Sequence, residues 1–295
     1  MTRREFIELT GSAAAVMSAG GVFGAAEEDR YAASQREIDR VKAATFRDYL
    51  RTGKDFGEPA LQRLEAAFDK VLAEVKATTV TGRPAVWLVY NMGVIVKTAR
   101  CCFSIDLMHR RAVEFAPLLD FALITHNHGD HYTEDFYRAM NGAGKTVISN
   151  FKDNYGVADR VKSGGYTRAE KTFRPGDAEI RTTLTDHNEY LVDFTTTFEI
   201  CIGDFTIYHT GDCSNLMKLN PRSKSPDLWI VHPRCGTSVV EGVKKLNPKL
   251  TAIAHLNELG HDKWRWSWTD GLNEKRGVEG LGRTAIVPVW GERIA

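Results

Sequence analysis

The sequence predicts a mixed α/β protein in which a helical segment precedes a domain of alternating strands and helices. Between residues 27 and about 81, apolar side chains recur at three- and four-residue steps, the period of a helix buried on one face. From Val86 onward, short apolar runs bounded by Gly, Asn or Asp indicate buried strands, and helical segments separate several of them. Such alternation is what a layered α/β domain requires.

The first 26 residues differ in character from the rest of the chain. Arg3 and Arg4 precede a moderately apolar run, Leu9 to Phe23, which ends in Gly24-Ala25-Ala26, small residues that suit a signal peptidase. This arrangement resembles a twin-arginine export signal, and the alternative is a mobile N-terminal helix. We therefore expect the export machinery as a partner and a periplasmic or otherwise exported protein. The run is too short for a spanning helix, so no stable membrane anchor is expected.

Residues 27–82 are predicted to form a helical extension without chemistry of its own. The segment from Tyr31 to Leu50 is an irregular helix candidate, and a second helix starts near Pro59 and stops before Gly82. We expect this hairpin to lean on the main domain or on another subunit of a homo-oligomer. Its apolar stripe consists of Leu61, Leu64, Phe68, Val71, Leu72 and Val75.

The remaining chain, residues 83–295, is predicted to be one domain. Its first half contains the predicted strands Val86–Val89, Val94–Val96, Cys102–Ile105, Phe121–Thr125 and Thr146–Ser149, with helices at Leu107–Phe115 and Thr133–Met140. Its second half contains the predicted strands Ile180–Leu184, Thr195–Ile202, Phe205–His209, Leu228–Val231, Leu250–Ala254 and Ala285–Val289, with a helix at Val239–Leu246.

A metal site is predicted where one of these strands ends. The apolar run Phe121 to Ile124 is followed by four potential ligands in six residues, namely His126, His128, Asp130 and His131. Asn, Gly and Asp are ordinary turn residues, but turn composition does not explain three histidines beside an aspartate. Imidazole and carboxylate groups are the ligands that suit zinc and its transition-metal neighbours.

The motif His-Asn-His-Gly-Asp-His matches the HxHxDH signature of the metallo-β-lactamase superfamily, which the chain resembles from about Pro84 onward. The resemblance implies a four-layered αββα sandwich with two metal ions at one edge. It also implies three later ligands in the order His, Asp, His. The chain has His187, Asp212 and His255 in that order, and each follows a predicted strand.

The resemblance further implies how these ligands are shared. The first metal ion is expected on His126, His128 and His187, and the second on Asp130, His131 and His255, with Asp212 bridging them. Two such ions would activate a water molecule for attack on an ester, lactone or phosphodiester of a small molecule. The predicted catalytic residues are Asp130, Asp212 and His209.

The resemblance also limits which reactions are expected. His128 occupies the position of a glutamate in the di-iron oxidoreductase members, so hydrolysis is favoured over dioxygen reduction. Asp212 occupies the position of a cysteine in the best-known lactamases, so an antibiotic-degrading enzyme is not predicted. Zinc is the expected metal, while manganese and iron stay open because these ligands accept several first-row ions.

Five further residues are candidates for roles at the site. His209 either contacts a ligand carboxylate, donates a proton or is satisfied within its sheet. The loop after Val231 carries His232, a candidate for substrate binding, and Arg234, which either binds a substrate carboxylate or phosphate or is solvated. We expect His261 to contact substrate or donate a proton, and Asp106 to orient the metal loop.

Two features near the C-terminus complete the site hypotheses. Glu258 is expected to brace His255. Trp264, Trp266 and Trp268 alternate along an extended segment and form either an aromatic wall for substrate or, preferably, a packing seam.

Composition limits the function classes. The 39 Lys and Arg residues against 38 Asp and Glu residues give a net charge of +1, which favours neither nucleic acid nor an anionic membrane as a partner. The five cysteines show no CxxC pairing and are expected to act as small apolar residues. The alternative function is a non-catalytic metal-binding sensor or structural subunit, against which the presence of all seven ligands argues.

Overall fold

Two β-sheets packed face to face lie at the centre of the molecule, and helices cover their outer faces. The computed structural model describes residues 31–151, 171–236 and 238–295; the predicted twin-arginine signal, residues 1–26, lies outside these ranges. Six helices are described: 31–38 (α1), Ala43–Thr52 (α2), Pro59–Ala77 (α3), Glu134–Gly142 (α4), Val239–Leu246 (α5) and Trp268–Gly280 (α6). None of these helices is long and apolar enough to cross a membrane.

The first sheet begins antiparallel and ends parallel. Its strands, in spatial order, are β1 Ala85–Tyr90, β2 Gly93–Lys97, β3 Cys102–Ile105, β4 Phe121–Leu123 and β5 Thr146–Ile148. β1, β2 and β3 pair antiparallel, whereas β3, β4 and β5 pair parallel. The parallel half brings the chain back to one edge after each strand.

The second sheet has the same mixed pattern. Its strands are β6 Lys171–Phe173, β7 Ala178–Thr185, β8 Thr195–Ile202, β9 Phe205–His209, β10 Leu228–Val231, β11 Leu250–Ile253 and β12 Ala285–Ile286. They lie in the order β12-β11-β10-β9-β8-β7-β6. β6 to β9 pair antiparallel and β9 to β12 pair parallel.

Alternate side chains of each central strand enter two different cores. In β10, Leu228 and Ile230 join the core between the sheets, while Trp229 and Val231 join the core beneath the helices. A strand buried on both faces needs a continuous apolar run, which is why these strands show no polar alternation. The α/β fold class and the two-sheet sandwich predicted from the sequence are confirmed.

The N-terminal helices lie on the outer face of the first sheet. α3 begins with Pro59 in its first turn and packs against β1. Its predicted apolar stripe is buried in the core that also contains Trp87 and Val89 of β1. Trp87 fixes the contact with a hydrogen bond, since its indole N–H donates to Glu74 Oε2 at 2.8 Å.

Two predicted helices differ in the structure. The irregular helix predicted from Tyr31 to Leu50 is two helices, because residues 39–42 form a turn. The helix predicted at Leu107–Phe115 is wrong: only Ala112–Phe115 forms a 3₁₀ turn. Tertiary contacts prevail there, since the His109 ring stacks on Phe68 at 4.2 Å and its Nδ1 accepts the Arg111 N–H.

The alternating tryptophans do not form one extended segment, because α6 begins at Trp268. Ser267 caps this helix with Asp270 in a reciprocal pair of hydrogen bonds, a signal present in the sequence as Ser-x-x-Asp. Several glycines weaken the apolar period of α6, which explains why the period alone did not reveal it.

Residues 291–295 return to the first sheet and run along the outer edge of β1. Val86 N–H donates to Ala295 O at 3.0 Å, and Leu88 N–H donates to Glu292 O at 2.9 Å. In the other direction, Ile294 N–H donates to Val86 O at 2.7 Å. The outer edge of β1 is therefore paired.

Candidate metal centre

The seven predicted ligands converge at one edge of the sandwich. β4 leads to the motif that starts at His126, β7 leads to His187, β9 leads to Asp212, and β11 leads to His255. Their side chains form two groups, within each of which the ligand atoms lie within 4.8 Å of one another. The first group is His126, His128 and His187, and the second is Asp130, His131, Asp212 and His255.

Asp212 lies between the two groups. Its Oδ2 is 3.5 Å from His187 Nε2 in the first group and 3.2 Å from His255 Nε2 in the second. Its Oδ1 is 3.3 Å from His131 Nε2. A carboxylate so placed could be shared between two metal ions.

Five ligand atoms suit metal ions, because they are buried and have no hydrogen-bond partner within the part of the chain that the structure describes. This holds for Nε2 of His126, His131, His187 and His255 and for Oδ1 of Asp212. A buried polar atom without a partner is costly, so such a concentration needs a physical explanation. Nitrogen and carboxylate oxygen donors at these positions suit divalent first-row ions.

Asp106 holds the second group from behind. Its carboxylate accepts the Thr125 N–H and the Thr125 hydroxyl, each at 2.7 Å, and contacts His131 Nδ1 at 2.9 Å. Fixing Nδ1–H in this way leaves Nε2 of His131 free for a metal ion. Asp106 is fully buried and has a φ of 48°, a left-handed conformation that Asp and Asn tolerate better than most residues.

A glycine before Asp212 lets the strand end approach the metal motif. Gly211 has a φ of 50°, and a Cβ there would lie 2.9 Å from the Thr125 side chain. The backbone of β9 can thus reach the motif only without a side chain at this position.

Asn91, in the turn between β1 and β2, positions two ligands of the second group and was not singled out from the sequence. Its Nδ2 donates to Asp130 Oδ2 and to Asp130 O, each at 3.2 Å, while its backbone carbonyl accepts the His255 N–H at 3.1 Å. The only signal in the sequence was an Asn where a turn needs positive φ, here 54°.

Phe194 borders the first group and was also missed. Its ring centroid lies 5.1 Å from that of His128, 5.6 Å from that of His126 and 6.0 Å from that of His187. Phe194 comes from the loop that follows His187, where the sequence shows no periodicity that would mark it.

His209 makes contacts with backbone groups. Its ring is fully buried, Nε2 contacts Met92 O at 3.0 Å, and Nδ1 accepts the Gly211 N–H at 3.3 Å. Burial lowers the pKa of His209, so the ring is neutral. Both ring nitrogens are engaged within the sheet, and the residue supports the turn that carries Asp212.

His232 and Arg234 lie beside the second group. The His232 ring is 4.5 Å from the ring of His255, and its Nδ1 accepts the Arg234 N–H at 2.9 Å. Burial and the neighbouring His255 lower the pKa of His232 to about 3. Arg234 is exposed, and its guanidinium carbon lies 4.7 Å from the ring centroid of Trp266.

Glu258 contacts His261 rather than His255, contrary to the sequence-based expectation. Its carboxylate is 2.7 Å from His261 Nδ1 and accepts the Tyr90 hydroxyl at 3.4 Å. This contact with Glu258 raises the pKa of the half-exposed His261.

The three tryptophans occupy three different environments. Trp268 is buried against Tyr31 and Trp290, Trp266 is half-buried between His232 and Arg234, and Trp264 is 69% exposed. Of the three, Trp268 is buried in the core, Trp266 packs against the edge of that core, and Trp264 is exposed.

The carboxylates dominate the electrostatics of the second group. Burial alone would lower the pKa of His255, but Asp212 and Asp130 outweigh it and raise that pKa to about 10. The same opposition of burial and carboxylates raises the pKa of His131 well above its usual range. The two histidines in turn hold the pKa of Asp212 well below its usual value, despite its burial.

No family model matches the sequence, and no curated protein matches it. Among solved structures, the chain is similar to the metallo-β-lactamase fold protein YhfI from Bacillus subtilis, with 13% identity over 72% of this chain and 100% of that one, at a TM-score of 0.55. It is also similar to a metallo hydrolase from the archaeon Ignicoccus hospitalis, with 18% identity over 71% of this chain and 97% of that one, at a TM-score of 0.54.

A third similar structure is CmlA, a diiron β-hydroxylase from Streptomyces venezuelae. The identity is 16% over 72% of this chain, and the TM-score is 0.53. The match spans only 54% of CmlA, about half of its length. Together with the sheet order and the convergence of seven ligands at one edge, these similarities show that the chain has the metallo-β-lactamase fold.

Proposed function

We propose that the protein is a dinuclear metal-dependent hydrolase acting on an ester, lactone or phosphodiester bond of a small molecule. The observation that carries the proposal is the placement of Asp212 between the two ligand groups, in which five buried ligand atoms have no hydrogen-bond partner among the described residues. Solved structures that resemble the chain include a metallo hydrolase and an isothiocyanate hydrolase, which supports the same reaction class.

Some residues of this chain would bind the metal ions, and others would orient the ligand side chains. The first group, completed by His187, would hold one ion, and the second would hold the other, with Asp212 shared. When bound, two such ions activate water at neutral pH and polarise the bond to be hydrolysed. Asp106 fixes the ring of His131, and Asn91 fixes the carboxylate of Asp130, so that little reorganisation is needed on binding.

Zinc is our first assignment for both positions. The first group offers three imidazoles and the second adds carboxylate oxygen, a combination that also accommodates manganese and iron. The alternative function, a metal-binding sensor or structural subunit without catalysis, predicts the same metal content and no turnover.

The proposal is tested by measuring metal content and turnover on the same protein. We expect about two ions per chain by mass spectrometry and chelator-sensitive hydrolysis of one class in a panel of nitrophenyl esters, lactones and phosphodiesters. Asp212→Asn should lose an ion and reduce turnover to the background rate, whereas Asp48→Asn, at an exposed helical position, should change neither.

Each outcome has a distinct meaning. Two ions without turnover of any substrate class would favour the non-catalytic alternative. A folded protein that binds one ion or none would contradict the dinuclear site.

We also propose that the protein is exported by the twin-arginine route. The support is the sequence of residues 1–26, and folding before export would let the metal site load in the cytoplasm. Replacing Arg3 and Arg4 by Lys should remove the protein from the periplasmic fraction. An unchanged periplasmic fraction would contradict this route.

A further inference from the structure

We propose that Arg234 binds an anionic group of the substrate, which makes the substrate an acid carrying a carboxylate or phosphate apart from the bond that is hydrolysed. This inference rests on the proposed function, because it assigns the substrate class of the same site. Four side chains connect the second ligand group to the surface: His255, His232, Trp266 and Arg234.

These four side chains form a continuous series of contacts. The ring of the ligand His255 lies 4.5 Å from the ring of His232, and the ring of Trp266 lies 5.9 Å from His232 with its plane nearly perpendicular. The guanidinium carbon of Arg234 lies over Trp266, 4.7 Å from the ring centroid. Arg234 is therefore three side-chain contacts away from the metal ligands, on the loop that leaves the same edge of the sheet.

Neighbouring groups hold Arg234 in place. Trp266 is anchored through its backbone carbonyl, which accepts the Asn257 N–H at 2.6 Å. The backbone N–H of Arg234 donates to His232 Nδ1 at 2.9 Å. A guanidinium resting on an aromatic face keeps its N–H groups free at the rim, so binding an anion there costs little side-chain entropy.

The guanidinium of Arg234 has hydrogen-bond donors that the described residues leave unused. Within residues 31–151, 171–236 and 238–295, its guanidinium forms no ion pair and no hydrogen bond. The charge of Arg234 acts on the nearby acid Glu274 without a direct ion pair, and Glu274 Oε2 accepts the Val239 N–H at 3.0 Å. The planar fork of an arginine matches carboxylate and phosphate oxygens in two parallel hydrogen bonds.

The chemistry of the substrate follows from the two ends of this arrangement. The bond to be cleaved would lie at the ligand groups, and the anion would lie over Trp266. Carboxylate and phosphate share the recognition chemistry, and their different shapes and charges distinguish them experimentally.

The inference is tested by isothermal titration of zinc-loaded protein with non-hydrolysable acids. Butyrate, hexanoate and octanoate reach only the ligand groups, whereas succinate, adipate and suberate carry a second carboxylate, and the corresponding phosphonocarboxylates carry a phosphonate instead. In the natural protein, the best dianion should bind at least about tenfold more tightly than the monocarboxylate of equal length. Arg234→Met should abolish this preference and Arg234→Lys should retain part of it.

Arg100→Met is the matched control, because Arg100 is an exposed arginine in the turn between β2 and β3, at the opposite end of the first sheet. This variant should keep the full preference. A preference that survives in Arg234→Met, or that is absent from the natural protein, would overturn the inference. Should Arg234→Met unfold, a reduced preference in the folded Arg234→Lys variant supports the inference, and an unchanged preference in that variant overturns it.

The comparison of dianions identifies the anion source. Tighter binding of the phosphonocarboxylates assigns phosphate, and tighter binding of the dicarboxylates assigns carboxylate; both support the role of Arg234. Failure of the proposed function is recognised separately, by metal content and turnover of the same protein, because the preference for dianions is measured from binding alone.

Discussion

At the residue scale, the candidate centre depends on side chains that no metal ion would touch. Asp106 accepts hydrogen bonds from both Thr125 groups and contacts His131 Nδ1, so one carboxylate fixes the start and the end of the metal motif. Its left-handed backbone conformation narrows the choice of residue further, and Asn is the substitution that preserves that conformation.

Asp106→Asn should therefore act on the metal and leave the backbone unchanged. The amide nitrogen would oppose either the Thr125 N–H or the His131 Nδ1–H, so Asn cannot accept both hydrogen bonds and the support of the His131 ring would be weakened. We expect affinity for one ion to fall by about 10- to 100-fold, while the other ion, on the first group, is retained. Competition with a chromophoric chelator measures both affinities.

Asp177→Asn is a suitable control, because Asp177 also accepts a threonine hydroxyl, from Thr98 at 2.7 Å, away from the ligand groups. Equal loss of both ions from Asp106→Asn, or no loss, would contradict the assigned role.

The metal ligands could be predicted from the sequence, whereas most of the residues that position them could not. His126 to His131 are readable because four ligands fall within one short motif, and Asp212 and His255 follow strands that were recognisable as apolar runs. Asn91 and Phe194 belong to other turns, and only the tertiary structure brings them to the site. Glu258 was assigned to the wrong histidine, because neighbours along the chain do not reveal where a buried carboxylate points.

At the element scale, the N-terminal helices support the loop that follows His255. Arg265 donates to the carbonyls of Ile38 and Val41, each at 3.0 Å, and to Glu258 O at 2.9 Å. Gln35 joins the same two regions through Asn257 at 2.9 Å. The loop that carries His261 and Trp266 is thus built on α1 and the turn after it.

Arg265→Met should loosen this loop. Hydrogen bonds to a charged donor contribute about 1.5–3 kcal/mol each but are not additive, so we expect the free energy of unfolding to fall by about 2–3 kcal/mol. Urea unfolding measures the loss, and Arg276→Met, an exposed arginine of α6, should change stability by less than about 0.5 kcal/mol. Equal stabilities of the two variants would contradict the role of Arg265.

Elements were predictable where burial alone determines them. Most strands near the site follow apolar runs that were read correctly, because a doubly buried strand admits few polar residues. The short, half-buried β6 was not predicted. The helix predicted at Leu107–Phe115 does not form, because the His109 ring stacks on Phe68 of α3 and its Nδ1 accepts the Arg111 N–H.

At the scale of the whole molecule, the ligand groups link stability to pH. Without metal, Asp212 and Asp130 outweigh the effect of burial and raise the pKa of His255 from 6.5 to about 10. Its stabilising interaction with Asp212 and Asp130 is complete below pH 6.5 and is lost as the pH rises towards 10. Metal binding instead requires neutral histidines, so metal affinity rises over the same range.

The chelated protein should thus lose stability with rising pH, by about 2–3 kcal/mol between pH 6.5 and 9, while the zinc-loaded protein should not. Urea unfolding at both pH values, with chelator or with excess zinc, tests this expectation. Rising stability of the chelated protein over this interval would contradict it.

The pairing of residues 291–295 with β1 has a consequence for solubility. β1 reads Ala-Val-Trp-Leu-Val-Tyr, is buried along its whole length and would present free N–H and C=O groups if that pairing opened. An apolar strand with an open edge is a template for intermolecular β-pairing, and hence for aggregation. Fraying of this short segment, rather than global unfolding, would then set how long concentrated protein stays monodisperse.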